Sequence, residues 1–148
     1  MNFEGKSRFL NVLSRVLSDS EIYRETLAWQ NEERGRELLL AGDVEGALEK
    51  FRASVEEKSR LLAERVARLA TREEASKELT ARRLELARNY LGVALLERFK
   101  KRFDAARSSA EAAIAALDEI DVDDEETRDE KKRIRRETGK LLKGLDAI

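Results

Sequence analysis

The length, composition and charge of the chain bound its size and exclude several kinds of chemistry. It has 148 residues, of which 41% are charged and 41% hydrophobic, and its net charge is only −1. Histidine and cysteine are absent, which removes the commonest general base, thiol nucleophiles and zinc sites of the usual kind. The sequence has no apolar run long enough to span a membrane and no signal-peptide pattern at its start, so we expect a cytoplasmic protein.

The spacing of the apolar residues predicts an all-α fold of about six helices. Proline is absent, and apolar residues recur three and four positions apart, as in helices with one buried face. We expect a single domain over residues 1–148, with an N-terminal helix over 1–19 and a first long hairpin over 20–70. A second hairpin follows over 71–120, and a charged C-terminal helix over 121–148.

The first two helices are predicted over residues 3–17 and 20–41. The boundary between them rests on Ser18 and Glu21, which have the spacing of a capping box. Gly35 lies in the middle of the second helix, where a glycine costs about 1 kcal/mol relative to alanine. Close approach of a neighbouring helix would compensate for that cost, and we predict such an approach at Gly35.

A tight turn is predicted after the second helix. Gly42 can adopt the left-handed conformation that ends a helix. Asp43 can then accept hydrogen bonds from the free backbone N–H groups of the next helix, which starts near Val44.

The region from residue 44 to residue 100 is either one coiled-coil helix or two helices joined by a turn. Thr71 and Glu74 have the spacing of a capping box, and the apolar stripe fades across residues 71–78 and resumes at Leu79. Because a long coiled coil needs an unbroken heptad pattern, we predict a turn near residues 70–71 and a helix over about 72–99. Its buried side is expected to carry Leu79, Leu84, Ala87, Leu91, Leu95 and Phe99.

The last third of the chain is predicted to form two further helices. Asp104 is expected to cap an alanine-rich helix that ends at Ile120. The acidic segment 121–126 fits a loop followed by the first turn of the sixth helix, where carboxylates are favoured. This helix has few apolar residues, so its first half is expected to project into solvent or to lie on a partner.

Two segments of the chain, residues 34–55 and 91–114, can be aligned with each other. The matched pairs are Gly35 with Gly92, Leu38 with Leu95, and Ala47 with Ala106. The pattern resembles the tetratricopeptide repeat, a helix–turn–helix unit of about 34 residues. Leu91-Gly92, Ala47 and Phe51 fit the motif of that family. The repeats are degenerate, because the second has a turn about two residues longer and Ala110 where the family has an aromatic residue.

The resemblance implies elongated antiparallel hairpins whose first helices line a concave groove for peptides or other proteins. Carried over onto this sequence, the groove would be formed by Trp29, Glu32, Arg36 and Leu39 in one unit and by Asn89, Val93 and Leu96 in the other. We therefore expect a non-catalytic interaction module, such as an adaptor, scaffold or assembly factor, with a protein or peptide partner and no cofactor.

Two alternatives remain open alongside this interpretation. The first is a structural helical protein, natural or designed, that self-associates into homo-oligomers. The second is a small subunit of a nucleoprotein complex, although the net charge of −1 and the absence of aromatic residues beside the basic clusters disfavour nucleic acid. The many carboxylate pairs lie in highly charged, exposed surroundings, so we expect neither enzyme activity nor a metal site.

Overall fold

The computed structural model describes the backbone of residues 3–69 and 75–148 and the side chains of residues 21–67 and 77–148. These parts contain five α-helices: α1 (Phe3–Leu40), α2 (Val44–Leu69), α3 (Ala75–Phe99), α4 (Phe103–Asp118) and α5 (Glu125–Asp146). The predicted all-α fold is confirmed for this part of the chain. Each helix packs antiparallel to the next along the chain, and α3 also contacts α5.

The first two predicted helices form one continuous helix, α1, so the predicted boundary at Ser18 is wrong. The chain has neither glycine nor proline between Gly5 and Gly35. Serine and aspartate inside a helix cost at most about 0.7 kcal/mol each. A break would instead leave several backbone groups at each new helix end without intrahelical partners. The local capping signal is therefore outweighed by continuation of the helix.

The turn between α1 and α2 has the predicted geometry. Gly42 has a φ of +85°, and its N–H donates to the carbonyl of Leu39 at 3.0 Å. The N–H of Asp43 donates to the carbonyl of Leu38 at 2.9 Å, which completes a Schellman motif. The Asp43 carboxylate accepts a hydrogen bond from the N–H of Gly46 at 2.8 Å and so caps α2.

The turn between α3 and α4 has the same geometry, but a lysine takes the place of the glycine. Lys101 has a φ of +61°, and its N–H donates to the carbonyl of Arg98 at 2.9 Å. The N–H of Arg102 donates to the carbonyl of Glu97 at 2.8 Å. The prediction that Asp104 caps α4 is wrong, because the left-handed turn at Lys101 places Arg102 at the cap position and Asp104 inside the first turn.

The hairpins α1–α2 and α3–α4 correspond to each other at a constant spacing of 59 residues. The equivalent buried pairs are Ala28 and Ala87, Gly35 and Ala94, Ala47 and Ala106, and Ser54 and Ala113. The predicted matches of Gly35 with Gly92 and of Leu38 with Leu95 are therefore wrong. They assumed a longer second turn, whereas both hairpins use the same turn.

The chain reverses direction between α2 and α3, so the region from residue 44 to residue 99 is two helices and not one coiled coil. The ammonium group of Lys58 on α2 donates to Glu85 at 3.0 Å and to Asn89 at 2.8 Å on α3. Nearer the end of α2, Arg65 donates to Glu78 of α3 at 3.0 Å. The predicted turn at residues 70–71 and its capping box lie outside the described residues.

Helix α5 closes the second hairpin and starts as the acidic segment predicts. The Asp124 carboxylate accepts a hydrogen bond from the N–H of Thr127 at 2.8 Å and caps the helix. Ile134 and Thr127 are buried, and Ile134 packs in a cluster with Leu84 of α3 and Leu117 of α4. The prediction that the first half of α5 projects into solvent is therefore wrong, because Thr127 and Ile134, seven residues apart, are both buried on one side of the helix.

Candidate groove between α1 and α3

Helices α1 and α3 run parallel on either side of α2, and a groove of about 400 Å³ opens between them. Its apolar lining comes from all three helices and consists of Leu39 of α1, Phe51 of α2, and Val93, Leu95 and Leu96 of α3. Gly92 contributes no side chain to the wall formed by α3, and the space beside it is open. The groove can therefore accept apolar side chains of another molecule.

Most of the residues that were predicted to form a groove line this one. They are Glu32, Arg36, Leu39, Asn89, Val93 and Leu96. Trp29 is exposed on α1 two turns before Arg36 and does not line the groove. Val93 is almost completely buried against α2, so it supports the floor and offers little surface to a ligand.

A lysine on α2 connects the two walls of the groove. The ammonium group of Lys58 donates to Glu32 on α1 at 2.9 Å, in addition to its bonds with Glu85 and Asn89 on α3. Glu32 also accepts a hydrogen bond from Arg36 at 3.0 Å. Glu32, Asn89 and Arg36 therefore bind to neighbouring side chains, and this network sets the distance between α1 and α3.

A second network of ion pairs joins α1 and α3 on the N-terminal side of the residues that line the groove. The guanidinium group of Arg65 is buried and donates to Glu21 on α1 at 3.0 Å and to Glu78 on α3 at 3.0 Å. Arg82 on α3 pairs with Glu25 on α1 at 3.1 Å. Because both networks cross from α1 to α3, the walls are held apart at a fixed distance over several helical turns.

Four exposed apolar side chains lie near the C-terminal ends of α1 and α3, and we call them the apolar rim: Leu39, Leu40, Leu95 and Phe99. Two of them, Leu39 and Leu95, also line the groove. Leu95 is 43% exposed and Phe99 is 70% exposed, so the prediction that they lie on the buried side of their helix is wrong. Helix α4 packs on the opposite side of α3, where Ala87 and Ala94 are buried. Large exposed apolar patches commonly mark interaction sites.

The sequence did not identify the apolar rim as a surface. Leu95 and Phe99 lie at helical spacing from Leu91, which is partly buried, and the same periodicity fits either side of α3. The residues that distinguish the two sides are the small ones, Ala87 and Ala94, because α4 can approach only over small side chains. The two alanines are visible in the sequence. They identify the side of α3 that faces α4 only if α4 is already known to pack against α3.

Neither a metal cluster nor a known relative adds to this picture. Within the described part of the chain, no group of three or more acidic side chains is arranged to hold a metal ion. Among the same residues, no helix is both long and apolar enough to cross a membrane. We found no matching protein-family model, no matching curated protein and no matching solved structure. The groove and the surfaces beside it are therefore the features of the molecule that bear on its function.

Proposed function

We propose that this chain is a non-catalytic interaction module that binds an amphipathic segment of a partner protein in the groove between α1 and α3. The observation that carries the proposal is an apolar groove with two partly exposed leucines in its lining, Leu39 and Leu95, and with further exposed apolar residues, Leu40 and Phe99, on the same helices. The volume of the groove lies within the usual range for ligand sites, roughly 300–1,000 Å³. It is large enough for a few apolar side chains from one face of a helix.

The energetic gain from covering the rim supports this proposal. Complete burial of an exposed leucine or phenylalanine contributes about 1.5–3 kcal/mol. Leu40 and Phe99 are largely exposed, and Leu39 and Leu95 are partly exposed. A partner segment that covers two or three of these side chains would gain enough free energy to offset part of the cost of association.

The fixed spacing of the walls also supports binding. The Lys58 network joins α1, α2 and α3, so the groove is formed before a ligand arrives. A preformed site requires little ordering on binding, which leaves more of the burial energy as affinity. This arrangement suits recognition of a segment that presents side chains at positions i, i+3, i+4 and i+7.

The test is selection from a displayed library of random peptides of about 16 residues, followed by affinity measurements on two matched variants. Leu95→Glu places a charge in the groove, whereas Leu27→Glu changes a similarly exposed leucine, 38% against 43%, that does not line it. We expect selected peptides with helically spaced apolar residues, and at least about tenfold weaker binding to the Leu95 variant alone. Equal binding by both variants would reject the groove as the site.

The arrangement of the hairpins supports a tetratricopeptide-like stacking as part of the same proposal. Both hairpins use the same turn, and the first helices, α1 and α3, run parallel beside the groove. The spacing of 59 residues exceeds that of the family because the helices are longer. We propose a cytoplasmic setting for the module, in which a chain without cysteine requires no oxidising compartment.

Self-association is a second candidate function for the same surface. Leu40 is 91% exposed at the end of α1, beyond the groove itself. Two copies that face each other through their apolar rims would cover this residue together with Phe99. Light scattering over a concentration series separates the candidates, since self-association predicts a mass that rises with concentration and falls back to monomer in the Leu95→Glu variant.

A further inference from the structure

Helix α5 carries lysine and arginine side chains that lack the ion pairs found on most of the other cations in the described structure. Arg24, Arg52, Lys58 and Arg65 each pair with one or more carboxylates. By contrast, no described carboxylate forms an ion pair with the following side chains of α5: Lys132, Arg133, Arg136 and Lys143. Their charges are therefore available to another molecule.

Three of these cations lie with Lys140 along one line of α5, which we call the basic stripe: Arg133, Arg136, Lys140 and Lys143. Successive members are three or four residues apart, and all four are exposed. Lys140 makes only a long, exposed pair with Glu137 at 3.5 Å. At 1.5 Å per residue the stripe is about 15 Å long.

The helix dipole does not account for the basic stripe. Cations are stabilised by the dipole only within the last turn of a helix, which for α5 contains Lys143. Arg133 and Arg136 lie in the middle of the helix, and they interact with no carboxylate among the described residues. The helix dipole therefore does not explain why these two positions are basic.

One end of the basic stripe lies near the C-terminal end of α3, the helix that carries Leu95 and Phe99 of the apolar rim. Helices α3 and α5 are parallel neighbours, and the guanidinium group of Arg98 lies 4.0 Å from the position of a Cβ atom built at Gly144. Arg98 is exposed and has no ion pair in the described structure, and its neighbours in sequence include Phe99 and Leu95 of the rim. Arg98 is therefore one helical turn from Leu95 of the apolar rim and close to Gly144, the residue that follows Lys143 of the basic stripe.

We propose that the basic stripe binds carboxylates of the same partner segment whose apolar side chains enter the groove, so that the partner is an acidic amphipathic segment. This inference rests on the proposed function and specifies its ligand. Arginine suits the role, because its guanidinium group can form two parallel hydrogen bonds with one carboxylate. The stripe has the length of about three turns of a partner helix.

The surroundings of the stripe favour an acidic protein segment over a nucleic acid. Asp129 and Glu130 lie one turn before Arg133, and the acidic segment 121–126 precedes them. A duplex carries one phosphate charge per about 1.7 Å, so its backbone would continue from the stripe into this acidic region. A short acidic segment can end where the stripe ends.

The experiment uses the selected peptides, each compared with a version in which every aspartate and glutamate is replaced by its amide. Fluorescence anisotropy reports affinity at about 50 and 200 mM salt. We expect the selected peptides to carry a net negative charge, to bind at least about tenfold more tightly than their amide versions, and to weaken as salt rises.

Two double variants with the same change in charge test the location. Arg133→Glu/Arg136→Glu inverts the stripe, whereas Lys50→Glu/Arg83→Glu inverts two unpaired cations that lie outside the groove and the stripe. We expect at least about tenfold weaker binding in the first variant and a change below about twofold in the second. If the charge inversion impairs folding, the milder Arg133→Gln/Arg136→Gln variant replaces it. We expect its peptide affinity to lie between that of the wild type and that of the inverted variant.

The outcomes separate this inference from the proposed function. Selected peptides that are neutral, and that bind more weakly to Leu95→Glu but not to Arg133→Glu/Arg136→Glu, would overturn the inference that the ligand is acidic. The proposal that the groove binds a partner segment would stand. Binding that is unaffected by Leu95→Glu would overturn both. A single-stranded or duplex DNA of about 20 nucleotides that binds more tightly than every peptide, through the stripe, would overturn the inference in favour of a nucleic acid.

Discussion

Lys101 adopts a left-handed backbone conformation at the turn between α3 and α4, with a φ of +61°. This conformation costs a residue with a side chain about 1–2 kcal/mol, whereas glycine adopts it without steric conflict. We expect Lys101→Gly to raise the free energy of unfolding by about 0.5–1 kcal/mol, since the greater flexibility of glycine in the unfolded chain offsets part of the gain. Urea denaturation measures the change, and an unchanged or lower stability would contradict the prediction.

Gly35 and Gly92 make a matched pair, because both lie inside helices but differ in their surroundings. A Cβ atom at Gly35 would lie 2.8 Å from the ring of Phe51, whereas one at Gly92 would have nothing within 4 Å. We expect Gly35→Ala to destabilise the protein by about 1–2 kcal/mol through overpacking. Gly92→Ala should stabilise it by about 0.5–1 kcal/mol through helix propensity. Equal effects in urea denaturation would show that the two sites are not packed differently.

Asp124 gives the start of α5 a dependence on pH. The backbone N–H of Thr127 donates to its carboxylate, which lowers the pKa of Asp124 below its ordinary value. The stabilisation is therefore complete above the unfolded pKa, near 4, and is lost as the pH falls through the lower folded pKa. We expect Asp124→Asn to lose less stability than the wild type between about pH 5 and pH 2. Thermal unfolding curves that shift in parallel with those of the wild type would contradict this.

Among the helices, the features set by adjacent residues were predicted correctly from the sequence. The helix boundaries and buried faces that depend on packing between helices were predicted wrongly. The turn at Gly42 and Asp43 follows from two adjacent residues, and it was predicted correctly. The break at Ser18 has a similar local signal, but the helix continues through it. The difference is that Gly42 favours a conformation incompatible with a helix, whereas Ser18 tolerates the helix.

The two hairpins solve the same packing problem with different residues. In the first hairpin the ring of Phe51 fills the space at Gly35. In the second, both equivalent positions are alanines, Ala110 and Ala94, and they share a buried cluster with Leu141 of α5. In the second hairpin, the space between α3 and α4 is therefore filled by Leu141 of α5. An alignment of the two hairpin sequences does not include α5 and so cannot predict this contact.

Lys58 is the side chain that holds α1, α2 and α3 together beside the groove. Its removal would leave Glu32 and Glu85 without their shared cation, and the side chains of Lys58 and Glu32 are mostly buried. We expect Lys58→Met to destabilise the protein by about 1–3 kcal/mol and to weaken peptide binding. Lys50→Met is the matched control, because Lys50 has no ion pair among the described residues. A loss of stability no greater than that of the control would contradict the role of Lys58.

Across the molecule, six of the seven residues that were predicted to form a groove line the one observed, whereas the surfaces beside it were not predicted. Glu32 and Asn89 could be placed together because the alignment treats α1 and α3 as equivalent helices. The contact of α3 with α5 is what brings the helix that carries Leu95 and Phe99 next to the helix that carries the basic stripe. Because the first half of α5 was expected to project into solvent or to lie on a partner, its sequence did not indicate that α5 packs beside α3.

The groove between α1 and α3 is proposed to bind a partner segment. The most direct test is a titration of isotopically labelled protein with a selected peptide, followed by NMR amide shifts. We expect the largest changes at Leu39, Phe51, Leu95 and Leu96, with smaller changes along the basic stripe. Amide shifts confined to the opposite surface, where Ala112 and Ala115 of α4 lie, would contradict binding in the groove.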